Sequence, residues 1–427
     1  MNKNRLAFGV VTAVFFMWGF ITVLNDVLVP HLKSVFALDY TQIMLIQFTF
    51  FGAYFLMSLP AGKVVAVCGY KNSIIVGLCV AGLGALLFYP AAAMPSYGMF
   101  LGALFVLASG ITLLQVAANP YVSLLGAPRG APSRLNLSQA FNSLGTALAP
   151  KFGGLLLLSG AVLSSAALAK LSAPQQLAYQ LQQARAVQGP YIGIAVALFV
   201  LALIVYLFHL PAVGIAENRS AEPEHPFRAA LRHRHLLFGV PAIFLYVGAE
   251  VSIGSFMINY ISLPGIGNMP EVRAAGFVSL YWGGAMIGRF IGSALLQRID
   301  ARKLLGIYAC IAALLVVASM LSHDMTAVWS IVGIGLFNSI MFPNIFTLSI
   351  EGLGPLTSRG SSLLIMAIVG GAVIPELQGV LADHIGVHHA FLLPLLCYLY
   401  IVFYGFRGSK PDLKTSLATP AEPPAHA

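Results

Sequence analysis

The sequence predicts an all-α integral membrane protein, with twelve transmembrane helices forming two pseudo-symmetric six-helix bundles. Three observations predict it. Apolar residues fill 59% of the 427 positions and charged residues only 9%, whereas a soluble domain carries roughly 25% charged residues. So few charges cannot cover a water-soluble chain of this length, which leaves lipid as the solvent. The apolar residues also fall into segments of about 20 or more, the length a helix needs to cross a bilayer. Finally, polar features inside those segments recur at a fixed offset between the two halves.

The spans are predicted at 6–31, 42–66, 72–91, 97–125, 135–160, 189–210, 236–262, 272–297, 304–322, 327–350, 360–384 and 390–406. The first carries Asn25 and Asp26 and no small-residue cleavage site, so it reads as a span rather than a signal peptide. A short basic turn, Gly62 to Lys71, joins the second and third. The fifth and sixth are joined by 161–188, rich in Ala, Gln and Ser. The sixth and seventh are joined by 211–235, with Glu217, Glu222, Glu224 and the basic run Arg228, Arg232, Arg234. This one strong charge run divides the chain into an N-terminal bundle (1–210), a linker (211–235) and a C-terminal bundle (236–407). The tail, 408–427, is expected to be disordered.

With both termini in the cytoplasm, 18 of the 23 Lys and Arg residues face that side, all but Lys33, Lys151, Lys170, Arg185 and Arg273. Such a bias is how membrane topology is set. The formal charge of +9 therefore does not point to nucleic acid, because the basic residues form no stripe with interleaved aromatics. Cys68, Cys79, Cys310 and Cys397 show no CxxC or Cys/His spacing, so neither a metal site nor a disulfide framework is expected.

Asp26 and Glu250 are acids within apolar spans, 224 positions apart (250 − 26). Ionised groups in hydrocarbon are costly, face polar cavities and belong to transport or proton pathways. Near the same offset, Asn119-Pro120 in the fourth span corresponds to Pro343-Asn344 in the tenth. The basic turn after the second span has a counterpart after the eighth, with Gly288-Arg289, Arg298, Asp300, Arg302 and Lys303. Parallel six-helix repeats with a midplane site between them are a transporter architecture, and rocking of the halves gives alternating access.

These features resemble the major facilitator superfamily, and within it the fucose–galactose–glucose:proton symporters. Five stretches carry the resemblance: Leu24 to Leu28 with Pro30; Gln115 to Tyr121; Arg134 to Ser143; Tyr246 to Glu250; and Phe342 to Phe346. The likeness spans about 6–406. The loop motif marks the superfamily, and the AANP and RLNxxQxFNS strings mark the branch. Fucose permeases carry a Glu where this chain has Gln115, and here Glu250 supplies an acid in the other half. The departure is similar to the glucose/galactose and N-acetylglucosamine members, so the resemblance implies a hexose other than fucose.

Asp26 and Glu250 are the proton-coupling candidates, and both could accept sugar hydroxyls. Amides offer donors and acceptors in fixed geometry, as pyranose hydroxyls require. Gln115 and Asn119, four apart, share a face of the fourth span, while Gln139 and Asn142 share one with Asn136 on the fifth. Asn25, Tyr246, Trp282 and Asn338 complete the expected substrate-binding set, with Trp282 a stacking platform. Interhelical hydrogen bonding is the bland alternative for the amides, and a lipid- or core-facing position for Trp18, Trp282 and Phe337. Arg289, Asp300 and Arg302 are expected to latch the cytoplasmic side in one access state, with Glu351 nearby.

The leading expectation is hexose import by proton symport, with no cofactor and the proton as coupling ion, by a monomer in a bacterial inner membrane. Sodium coupling through Asp26 and Asn25, or uniport, is the runner-up. A membrane enzyme is disfavoured, since there is no HExxH, GxSxG, aspartate-rich metal motif or P-loop.

Overall fold

The computed structural model describes residues 3–36, 40–93, 96–157, 187–211 and 227–411, with Ser172, 174–176, 178–179, Arg185 and Val213 besides; side chains at 3, 24–44 and 151–157 lie outside the description. Among the described residues every span is helical. The first is Lys3–Phe36. Tyr40–Ala93 runs through the second and third, interrupted at Gly69. Its φ of 77° there suits a residue without a Cβ. The fourth to ninth are Tyr97–Leu124, Ala131–Leu157, Gln188–Leu207, Arg234–Ser262, Glu271–Leu295 and Ala301–Leu321.

The last three spans are built from pieces. The tenth breaks into Asp324–Asn338 and Met341–Ile350. The eleventh joins Thr357–Met366 to Gly370–Ile385 through a 3₁₀ turn, Ala367–Val369. The twelfth, Leu392–Phe403, ends in a π turn, Tyr404–Gly408. Of the linker, Pro211, Val213 and the residues from Phe227 on are described; a short helix there, Phe227–Ala230, puts the Phe227 ring 4.9 Å from the Arg359 guanidinium.

Large apolar side chains point outward along the spans, Leu314 at 67% exposure and Leu203 at 54% among them. Lipid tails cover such a surface; water would not. Inside, small residues let backbones meet, the usual device where no hydrophobic force drives helices together. A Cβ on Gly110 would lie 2.3 Å from the Ala81 nitrogen, and one on Gly370 2.0 Å from the Phe244 carbonyl.

The two halves touch at the end that carries the basic loops. Ser133 and Ser293 exchange hydroxyl-to-carbonyl hydrogen bonds of 2.7 and 3.0 Å. Asn136 Nδ2 donates to Asn344 Oδ1 at 2.9 Å. Gly62 packs directly on Ser362 and Ser358.

Candidate functional site between the two halves

Glu250 sits midway along the seventh span, where its carboxylate accepts a hydrogen bond from the Tyr246 hydroxyl at 2.7 Å. The two residues are one helical turn apart and share a face. Arg289, on the eighth span, places Nη2 3.9 Å from Glu250 Oε1. Both side chains are nearly buried, at 12% and 13% exposure. The guanidinium also donates Nε to the Ser339 carbonyl at 3.2 Å and Nη1 to the hydroxyl of Ser143. Ser143 belongs to the fifth span, so Arg289 ties the two halves together while facing Glu250.

A proline explains why the Ser339 carbonyl is free. Pro343 has no N–H, so the acceptor four residues before it, Ser339, lacks its helical donor. Arg289 supplies one. The N-terminal half repeats the device: Pro120 frees the Val116 carbonyl, and Ser361 donates to it across the halves at 3.0 Å.

Behind Glu250 lies a closed tyrosine network. Asn338 donates Nδ2 to Tyr281 Oη at 2.7 Å and accepts from Tyr398 Oη at 2.8 Å. Tyr281 Oη reaches the Glu250 carbonyl at 3.2 Å. Gly335 permits this packing, since a Cβ there would lie 2.2 Å from the Tyr281 carbonyl. On the opposite side, Gln115 Nε2 donates to Tyr54 Oη at 2.7 Å, and Gln139 Nε2 lies 3.4 Å from Asn119 Oδ1.

A paired carboxylate and guanidinium lie between two helical bundles, and the guanidinium reaches Ser143 on the span that carries Gln139 and Asn142. Residues 6–375 match the Major Facilitator Superfamily. The chain belongs to the major facilitator superfamily. It is 53% identical, over 93% of each chain, to the glucose/galactose transporter of Brucella abortus biovar 1 (strain 9-941). It is 37% identical to the L-fucose-proton symporter of Escherichia coli (strain K12), over 94% of this chain and 93% of that one. The crystal structure of the facilitator FucP in its outward conformation superposes with a TM-score of 0.89, at 35% identity, covering 95% of this chain and 99% of that one. The twelve-helix facilitator fold follows, and with it a multi-pass transporter rather than an enzyme.

Within this facilitator the predicted site residues separate into groups. Asn25 and Asp26 lie on the first helix, but their side chains are outside the described residues. Gln115, Gln139 and Asn142 are gathered on the N-terminal side of the junction, and Asn142 donates Nδ2 to the Phe15 carbonyl at 2.9 Å. Trp282 is 43% exposed and lies with Cζ2 3.2 Å from where a Gly254 Cβ would be, one turn beyond Glu250. Asn119, Tyr246 and Asn338 have no exposed surface. Tyr246 and Asn338, both in the expected substrate-binding set, lie buried beside Glu250, with the Tyr246 hydroxyl 3.0 Å from the Asn338 carbonyl.

Arg289 departs from expectation. The sequence placed it with the loop charges, whereas it lies inside the eighth span facing Glu250, because Gly288 brings that helix against Leu336 and Ser339. The Asp300 carboxylate caps the ninth span through the Arg302 and Lys303 amides. Arg302 pairs with Glu351, so this contact ties the first turn of the ninth span to the end of the tenth, within one half. Trp18 packs on Phe15 and Phe337 on Tyr308, both as core aromatics. Tyr54, Tyr281, Tyr398 and Ser143 join the site through contacts outside the sequence expectation. Their signal in the sequence is weak: a hydroxyl in an apolar span shows no partner until helices pack.

Proposed function

We propose that this facilitator imports a hexose of the glucose/galactose class by proton symport with alternating access. The observation that carries the reading is the Glu250 carboxylate, buried between the halves and facing an arginine that holds the other half. The glucose/galactose transporter at 53% identity supports the sugar class, and the L-fucose-proton symporter supports the coupling ion.

The sugar binds from the outside against Gln115, Gln139, Asn142, Asn25 and Asp26 on one side and Trp282 and Glu250 on the other. Asp26 and Glu250 carry the proton. Neutralising Glu250 removes the charge that holds the Arg289 guanidinium, and the Arg289–Ser143 link loosens. The loaded halves then reorient and release both ligands inward. The empty carrier returns with Glu250 ionised and paired. Coupling requires that proton and sugar each bind the two access states with different affinity. The closed basic-loop end and the resemblance to an outward FucP support an outward-facing state.

The remaining assignments follow the charge asymmetry and the repeat. Both termini are cytoplasmic in a bacterial inner membrane. Residues 1–210 and 236–407 are the two bundles, 211–235 the linker and 408–427 the tail, and the monomer is the working unit.

The test is uptake of labelled glucose into proteoliposomes with an inward proton gradient and no sodium, with unlabelled galactose, mannose, fucose and N-acetylglucosamine as competitors. Accumulation that a protonophore collapses supports the reading. Equilibration without accumulation rejects proton coupling, and no competition by any hexose rejects the substrate class.

A further inference from the structure

The Asn136–Asn344 pair is more than a closure between the halves. Both residues are fully buried, yet among the described residues Asn136 Oδ1 and Asn344 Nδ2 have no hydrogen-bond partner, and neither does Asn119 Nδ2. Buried polar atoms left unpaired are rare and destabilising. A pure seal would be better built from apolar side chains. Donors and acceptors idle in one state point to a partner in another.

Their position says which partner. On the fourth, fifth and tenth spans, the steps from Gln115 to Asn119, from Gln139 to Asn136 and from Asn338 to Asn344 all run toward the basic-loop end. Tyr54, Gln115, Asn119 and Gln139 lead down to the pair, with Gln139 3.4 Å from Asn119. One turn further lie Ser123, Pro132 and Thr347, which line a cavity of about 980 Å³ open at that end. Asn136 also donates Nδ2 to the Pro132 carbonyl on the cavity wall at 2.8 Å. The amide pair is therefore the partition between the central site and the inner vestibule.

We infer that Asn136 and Asn344 form an exit-side subsite for the hexose, closed on itself in this state and opened to sugar hydroxyls when the halves part. Each amide then offers a donor and an acceptor, as a vicinal diol requires. This rests on the sugar-transport reading above and adds a second binding position to it.

The test separates a subsite from a latch by sign. Zero-trans KM for labelled galactose is measured at each face, in right-side-out and in inside-out membrane vesicles, for the wild type, Asn344→Ala and Asn344→Ser. A subsite predicts that Asn344→Ala raises the inner-face KM by roughly threefold to tenfold, the worth of one uncharged hydrogen bond. The outer-face KM stays within about twofold, and Asn344→Ser, which keeps a hydroxyl, recovers part of the loss. A mere latch predicts the opposite. Breaking it enlarges the inward-open population, so the inner-face KM falls. A fall, or an equal shift at both faces, overturns the inference. Outer-face uptake by each variant reports folding. Wild-type vesicles that take up galactose at neither face would overturn the sugar reading and the inference with it. Normal outer uptake with an unchanged inner KM would overturn the inference alone.

Discussion

Arg289 brings Nη2 to 3.9 Å from Glu250 while its other nitrogens hold Ser339 of its own half and Ser143 of the other. The pair is thus loose in distance but fixed in place by two further hydrogen bonds. The Glu250 carboxylate faces a guanidinium that bridges the halves.

Glu250→Gln should abolish concentrative uptake, with the accumulation ratio falling to about one, while exchange persists because the amide still accepts from Tyr246. Counterflow and gradient-driven uptake, compared in the same vesicles, read the two activities. Full accumulation by the variant would remove Glu250 from proton coupling.

Asp26→Asn should act in the same direction, losing gradient-driven accumulation and keeping some exchange. Unchanged concentrative uptake would exclude Asp26 from the mechanism.

Arg289→Ala leaves a nearly buried carboxylate without its countercharge. Loss of one partner from a buried pair destabilises by about 3–5 kcal/mol, and partial exposure here places the expectation at the low end. The double variant Arg289→Ala/Glu250→Gln should recover most of that loss. Thermal unfolding in detergent measures both, and a double variant no more stable than Arg289→Ala would contradict the pairing.

Ser361→Ala removes the donor to the carbonyl that Pro120 frees. The expected destabilisation is about 1 kcal/mol in the wild-type background. It should nearly vanish in Pro120→Ala, where the helix supplies its own donor to Val116. The coupling comes from a double-mutant cycle on unfolding midpoints. Equal effects in both backgrounds would mean that the proline does not create the acceptor.

Gly288→Ala would put a Cβ 2.5 Å from Ser339 Oγ and 2.6 Å from the Leu336 carbonyl. The eighth and tenth spans must separate, at roughly 1–3 kcal/mol, and Arg289 is carried off Ser339. Stability and concentrative uptake should fall together. An unperturbed variant would show that the close approach is not needed.

The sequence by itself determined the solvent, the number of spans and the place of the acids. Apolar run length and charge sidedness are one-dimensional quantities, and hydrocarbon enforces them without reference to any neighbour. Asp26 and Glu250 stood out because an acid in such a run is conspicuous wherever its helix packs. Gln115 with Asn119, and Gln139 with Asn142, were legible as two polar faces because helical spacing puts each set on one side of its own helix. The tertiary structure decided partners. Arg289 read as a loop charge until Gly288 pressed its helix against Ser339. That Tyr246 meets Glu250, and Asn338 meets Tyr281 and Tyr398, came from packing. Val116 and Ser361, 245 positions apart, met only through the approach of the two halves. Which polar atom satisfies which depends on packing at ångström precision, and residue type and spacing do not encode that locally.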